Sequence, residues 1–263
     1  MLSANLVYFS SAPKPDFFLG PLRLHWYGIF TAVAILAAYF LAAKIAPRFH
    51  GRPEFVDGVL PWLILAGFIG ARLYYVAFAW DFFGQHLNMI WQIWHGGLSI
   101  YGAVAGGAAA LAVYSKINKI NLWSVLALVS TVLPLAQGIG RFGNFFNSEA
   151  FGRPTKLPWK MYVAPMSRPP QYLGAQFFHP AFLYEALWDI AVFGILLYLG
   201  KRAGSHPAFI LASYLVLYPL GRFFIESLRV DSFFIHGLRV DQLVSLGLML
   251  LGAGILYIYR FRS

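Results

Sequence analysis

The 263-residue sequence predicts an all-α integral membrane protein: a bundle of seven transmembrane helices with an extracytoplasmic loop region carrying the polar chemistry. Composition is the first observation, because 59% of the residues are hydrophobic, only 11% are charged, and the mean hydropathy is +0.64. A soluble domain is about half apolar and about a quarter charged. Second, seven apolar stretches reach the roughly 17–25 residues that an α-helix needs to cross a bilayer. Third, period-2 alternation is absent and the runs are too long for barrel strands, which favours helices over a β-barrel.

Along the chain, no cleavable signal peptide is expected at the N-terminus. Its first cation is Lys14, and Pro13, Pro15, Asp16 and Gly20 break the segment before any long apolar core, so the first span is expected to be retained. That span covers residues 26–46. The second, 59–79, contains the deeply placed Arg72. The third, 97–114, holds Gly102-x-x-x-Gly106 amid Ala103, Ala105 and Gly107, small residues that predict a close helix–helix seam. The fourth is 122–139. The fifth, 180–199, opens on His179-Pro180, a helix start with proline at an early position. It carries Glu185 and Asp189 one turn apart, and these are expected to pair with Arg72, since buried charges are rarely left alone. Spans 208–225 and 243–259 complete the set. The longest connection is 140–178, and one polytopic membrane domain accounts for residues 1–263.

Loop charge gives the orientation by placement and not by number. Lys44, Arg48, Arg52, Lys116, Lys119, Lys201, Arg202, Arg260 and Arg262 lie in short links or the tail. The opposite side carries Lys14, Arg23, Arg141, Arg153, Lys156, Lys160, Arg168, Arg222, Arg229 and Arg239, mostly in the longest loop or beside carboxylates. The first set is assigned to the cytoplasm, which leaves the N-terminus extracytoplasmic and the C-terminus cytoplasmic. Tryptophans and tyrosines such as Trp80, Trp91, Trp94, Trp159 and Tyr162 fall near span ends, as an interfacial belt requires.

Several classes of function are excluded. The chain has no cysteine, so any thiol in the chemistry must come from a substrate. The net charge of +10 is scattered instead of forming a basic stripe, which argues against nucleic acid and for anionic lipid headgroups as partners. No H-E-x-x-H, G-x-S-x-G or P-loop pattern is present, so neither a metal nor any other cofactor is expected.

The densest polar run is Gly140-Arg-Phe-Gly-Asn-Phe-Phe-Asn-Ser-Glu-Ala-Phe-Gly152. Arg141 and Asn144 share a face at i, i+3 if the fourth helix continues, and a guanidinium suits a phosphodiester through bidentate contacts. Arg141 alone also fits a snorkelling interfacial arginine. Tyr218, Arg222, Glu226 and Arg229 form one polar stripe on a helix, readable as a ligand contact at Arg222 or as an ion-pair ladder. His95, before Gly96-Gly97-Leu-Ser99-Ile-Tyr101-Gly102, is a possible general base or simply a hydrogen-bonded interfacial histidine. Tyr27, within His25-Trp26-Tyr27-Gly28, either orients a base or belongs to the aromatic belt.

These blocks together resemble the bacterial prolipoprotein diacylglyceryl transferase family along essentially the whole chain. The run 140–152 is similar to the family signature G-R-x-G-N-F-x-N-x-E-x-x-G at every fixed position, and the HWYG, HGGLSIYG, HPAFLYE and YPLGRFFIESLR blocks follow in the family's order. Ile100 stands where an aromatic residue is common. The resemblance implies transfer of the sn-1,2-diacylglyceryl group of phosphatidylglycerol to the lipobox cysteine of a prolipoprotein signal peptide, with release of glycerol phosphate. It also implies residence in the bacterial cytoplasmic membrane. Carried over position by position, it makes Arg141 and Arg222 phosphate ligands, lets Asn144, Glu149 and Gly152 shape the headgroup site, and sets Glu226 to orient Arg222. His95 becomes the preferred base, and Tyr27 and Tyr218 assisting hydroxyls. Rival readings are a polytopic transporter of a small anionic solute and a non-catalytic lipid-binding scaffold.

Overall fold

A computed structural model describes residues 14–49, 53–201 and 206–260. The expectations that fall on residues 1–13 and on Arg52, Arg202 and Arg262 lie outside them. Eight α-helices occur among the described residues: α1 (Trp26–Ile45), α2 (Pro53–Phe78), the single turn α3 (Trp80–Phe83), α4 (Ile100–Ile117), α5 (Leu122–Phe146), α6 (Ala181–Lys201), α7 (Pro207–Glu226) and α8 (Val240–Arg260). All but α3 are long and apolar enough to cross a membrane. Their surfaces expose large apolar side chains such as Phe40, Leu65, Phe78 and Leu250, as lipid-facing helices do, because lipid tails offer no reason to hide them.

Helix starts follow from local chemistry. The Asn121 side-chain carbonyl accepts from the backbone N–H groups of Trp123 (2.8 Å) and Ser124 (3.4 Å), which satisfies donors at the head of α5. His206 caps α7 by accepting from Ala208 N at 3.3 Å, ahead of Pro207 at the first helical position. The C-terminal end of α5 departs from the hydropathy reading. The helix continues to Phe146, so the first seven residues of the 140–178 connection are helical. Polar side chains lower the hydropathy there, while Phe142, Phe145 and Phe146 still find aromatic partners.

The chain forms two compact units, residues 1–40 with 130–263, and residues 41–129. In the first, Trp26 of α1 stacks on Phe146 at 4.9 Å and Phe30 on Phe142 at 6.0 Å. Trp188 on α6 donates to Leu217 O at 2.9 Å across Gly221, where an added Cβ would stand 2.2 Å from the indole. Ala150, Phe151, Met161, Val163 and Phe178, between α5 and α6, form a small core with Phe182 of α6, so the long loop is a folded body. Three two-stranded antiparallel ribbons complete this unit: β1 (Asp16–Leu19) with β2 (Leu22–His25), β3 (Met161–Tyr162) with β4 (Phe177–Phe178), and β5 (Phe234–Ile235) with β6 (Leu238–Arg239). Strands this short have no periodicity to read.

In the second unit the glycine seam packs as expected. A Cβ on Gly102 of α4 would lie 2.2 Å from Gly70 O of α2, and one on Gly106 would lie 2.2 Å from Ala66 O, so the two backbones touch where only hydrogen fits. Ser99 N, just ahead of α4, donates to Ala71 O of α2 at 3.1 Å. The expected pairing of Arg72 with Glu185 and Asp189 is replaced by local partners. Arg72 is held by backbone carbonyls of its own unit, and the two carboxylates are held by arginines of theirs.

Candidate functional site

Three arginines from two helices and a following turn converge on one glutamate. Glu185, buried in the second turn of α6, lies 2.7 Å from Arg141 Nη2 of α5 through Oε2. Through Oε1 it lies 2.6 Å from Arg222 Nη1 of α7 and 3.1 Å from Arg229 Nη1 just beyond that helix. The polar stripe of α7 produces the rest. Arg222 Nη2 sits 2.8 Å from Glu226 one turn on, and 2.7 Å from Asp241 at the start of α8. Arg229 donates through Nε and Nη2 to both oxygens of Asp231 at 2.9 and 2.7 Å, a bidentate clasp.

Arg141 and Arg222 line a single narrow cleft with Tyr218, Glu185, Asp189 and Trp188. Two buried polar atoms there lack a hydrogen bond, Arg141 Nε and Asp189 Oδ2. Arg141 Nε stands 3.8 Å from Asp189 Oδ2, a charge contact beyond hydrogen-bond reach. A buried donor without an acceptor is costly, so this cleft holds unused hydrogen-bonding capacity.

The signature continues from Arg141 toward the end of α5. Asn144 donates to Glu149 Oε1 at 2.7 Å and Asn147 to the same oxygen at 3.4 Å. Gly143 lies against Tyr27, where a Cβ would fall 2.8 Å from the phenol ring. Ser148 and Ala150 take positive φ values of 53° and 56°, strained for residues with side chains, as the chain turns back. Gly152 N then donates to His179 O at 2.8 Å and Arg153 N to Leu228 O at 2.8 Å. This bridge ties the signature to the segment carrying Arg229, and a Cβ on Gly152 would meet His179 Cβ at 2.8 Å.

Outside the spans, burial lowers the pKa of the His179 imidazole. Burial alone would raise that of the Asp231 carboxyl, yet the Arg229 hydrogen bonds bring it below the usual carboxylate range. Burial would likewise lower that of Arg229, and the Asp231 bond more than reverses the effect. His179 Nδ1 lies 3.2 Å from Tyr184 OH, which accepts from Trp159 Nε1 at 2.7 Å.

Of the residues singled out in the sequence, Arg141, Tyr218, Arg222 and Glu226 therefore gather, with Asn144 and Glu149 joined to each other and Tyr27 against Gly143. His95 belongs to the second unit. There it ends a 3-10 turn, Ile93–His95, at the wall of a cavity of about 250 Å³. Asp231 and Asp241 were not singled out. Each is a partner of an arginine that was, and the uneven charge of the α7 stripe, two arginines for one glutamate, is the signal that further carboxylates are needed.

Comparison with known proteins agrees along the chain. The family model described as prolipoprotein diacylglyceryl transferase matches residues 16–258. A phosphatidylglycerol–prolipoprotein diacylglyceryl transferase of Thermosynechococcus vestitus is 43% identical over 250 residues, covering 94% of this chain and 93% of the relative. Proteins of the same name from Fervidobacterium nodosum (47% identical, 90% and 82% covered) and a Nostoc species (41%, 98% and 94%) are similar too.

Proposed function

The chain belongs to the prolipoprotein diacylglyceryl transferase family, and from that premise we propose that it transfers the diacylglyceryl group of phosphatidylglycerol to a prolipoprotein. The finer reading is that the acceptor is the lipobox cysteine of the signal peptide, met at the outer face of the bacterial cytoplasmic membrane. The protein is a multi-pass membrane transferase. No support is found for the transporter alternative.

The observation that carries the site reading is the shared cleft of Arg141 and Arg222, two guanidiniums locked on one glutamate with a buried N–H still open. In the reaction the substrate sulfur attacks the glyceryl carbon that bears the phosphate. A C–S bond forms, the C–O bond breaks, the thiol proton passes to a base, and glycerol phosphate leaves. Negative charge grows on the departing phosphate, so cations already fixed in place lower the barrier with little reorganisation. The carboxylates supply that fixing. Glu185, Glu226 and Asp241 hold Arg222 rigid, and the buried Arg141 Nε–H, which has no acceptor, is open to a phosphate oxygen.

Asn144, Glu149 and Gly152 form the headgroup wall. His95 takes the thiol proton, with Tyr27 and Tyr218 as assisting hydroxyls. A free thiol has a pKa of about 8.5, so a base accelerates its attack near neutral pH. Membrane lipids are the remaining partner, and no metal or protein nucleophile takes part in the proposed steps.

The test follows transfer of labelled diacylglyceryl from phosphatidylglycerol to a lipobox peptide. Wild type should modify the peptide and release glycerol phosphate. Arg141→Ala should lose at least about 100-fold in rate, the scale of one preorganised charge contact, while remaining folded in membranes. Near-normal turnover by Arg141→Ala would remove Arg141 from the phosphate site.

A further inference from the structure

Arg72 is buried on α2, yet no carboxylate forms an ion pair with it among the described residues. Its donors are spent on main-chain oxygens instead. Nε donates to Ile90 O at 2.6 Å. Nη1 donates to Gly96 O at 2.8 Å and Gly97 O at 2.9 Å, and Nη2 to Met89 O at 2.7 Å and Gln92 O at 3.4 Å. Five carbonyls of one nine-residue stretch therefore point at one planar cation. A guanidinium carries five N–H donors in a fixed fork, and no other side chain can fill such a ring. The face of the cation lies 5.1 Å from the Phe83 ring centroid.

The place of that ring in the sequence gives it meaning. Met89, Ile90 and Gln92 precede His95, and Gly96 and Gly97 follow it, so the guanidinium brackets the histidine on both sides. Gly96 and Gly97 take φ values of 84° and 79°, a paired left-handed turn that aims their carbonyls inward. A Cβ on Gly97 would stand 2.7 Å from Arg72 Nη1 and 2.5 Å from the Tyr75 ring, so the turn fits only if that residue has no side chain. His95 itself contributes no side-chain hydrogen bond to the ring and faces the cavity that Arg72, Gln92 and Gly97 also line. The backbone around it is held and its imidazole is left to act.

We propose that Arg72 is a positioning residue that sets the His95 imidazole for proton transfer by clamping the carbonyls on either side of it. The proposal rests on the reading of His95 as the thiol base. Lysine keeps the charge but offers three donors from a single point, so Arg72→Lys separates charge from clamp.

The experiment uses the full chain in detergent or vesicles, with labelled phosphatidylglycerol and a lipobox peptide. Arg72→Lys should lose about 100-fold in kcat, the scale of a misplacement of about 1 Å. Its KM for phosphatidylglycerol should stay within about twofold of wild type, the signature of an interaction used only in the chemical step. Amide exchange over residues 88–98 should accelerate about tenfold, with residues 141–152 unchanged. In a His95→Gln background, Arg72→Lys should change kcat by less than about twofold, because two residues acting as one unit do not add. Gly97→Ala, which presses on the clamp from the other side, should reproduce the kcat loss and serves as the second variant if Arg72→Lys does not accumulate.

Normal kcat in Arg72→Lys alongside an inactive His95→Gln would overturn the positioning role alone, as would full multiplicativity of the two losses. A fully active His95→Gln would instead remove the base reading, and the proposal with it.

Discussion

Glu185 offers two oxygens to three guanidiniums, and its burial means that water cannot replace it. Removing one partner of a buried ionic cluster costs about 3–5 kcal/mol because the remaining charges are left uncompensated. Glu185→Ala should therefore lower stability by that amount in detergent unfolding. Glu185→Gln, which keeps one acceptor oxygen and the shape, should lose less. A loss under about 1 kcal/mol for the alanine variant would mean that the arginines are held elsewhere. The sequence made Arg141, Arg222 and Glu185 conspicuous, since charges within apolar runs demand partners, but it did not say which partners. Arg72 takes backbone carbonyls in place of the acids its sequence context suggests, because backbone carbonyls leave no trace in residue type. Asp231 lies in a connection and Asp241 in the first turn of α8, where a carboxylate is unremarkable until the fold places it on an arginine.

Helices and turns supply the geometry that these residues need. Gly102 and Gly107 lie five residues apart in α4 but face different surroundings. A Cβ on Gly102 meets Gly70 O at 2.2 Å, whereas one on Gly107 meets only Leu63 Cδ2 at 3.7 Å. Gly102→Ala should thus destabilise by about 1–3 kcal/mol through overpacking, and Gly107→Ala should be neutral or gain up to about 1 kcal/mol from helix propensity. Equal effects in thermal melts would dissolve the seam. Seven long helices were legible because their apolar runs are long. The end of α5 was not, because hydropathy falls at Arg141 and Asn144 although the helix persists.

The turn after α7 predicts a pH response. Asp231 is depressed by Arg229, so its contribution is complete above the ordinary carboxylate range and is lost as pH falls through its lower folded value. His179 is also lowered, by burial, so unfolding gains protons below its ordinary value of about 6.5 and stability declines from there. Melting temperature should be level above about pH 7 and fall in two stages below it. The upper stage should vanish in His179→Asn and the lower in Asp231→Asn. A single stage surviving in both variants would place the titrating groups elsewhere.

Orientation belongs to the whole chain. Lys201 closes α6, and Met166 lies on the folded loop that precedes it. The 21 residues of α6, at 1.5 Å each, extend about 30 Å, the thickness of the hydrocarbon core, so the two positions fall on opposite faces of a membrane. Met166 is fully exposed, Lys201 is exposed, and the chain contains no cysteine. Single cysteines at these positions therefore report topology without background. In intact cells an impermeant maleimide should label Met166→Cys directly, and Lys201→Cys only after permeabilisation. That order puts Arg229, Glu149 and the loop core at the outer leaflet, where a lipoprotein precursor presents the cysteine of its signal peptide to phosphatidylglycerol headgroups. Labelling in the reverse order would confine the three-arginine cluster to the cytoplasmic leaflet, on the wrong side of the membrane for a translocated acceptor, and the proposed partners would have to change with it.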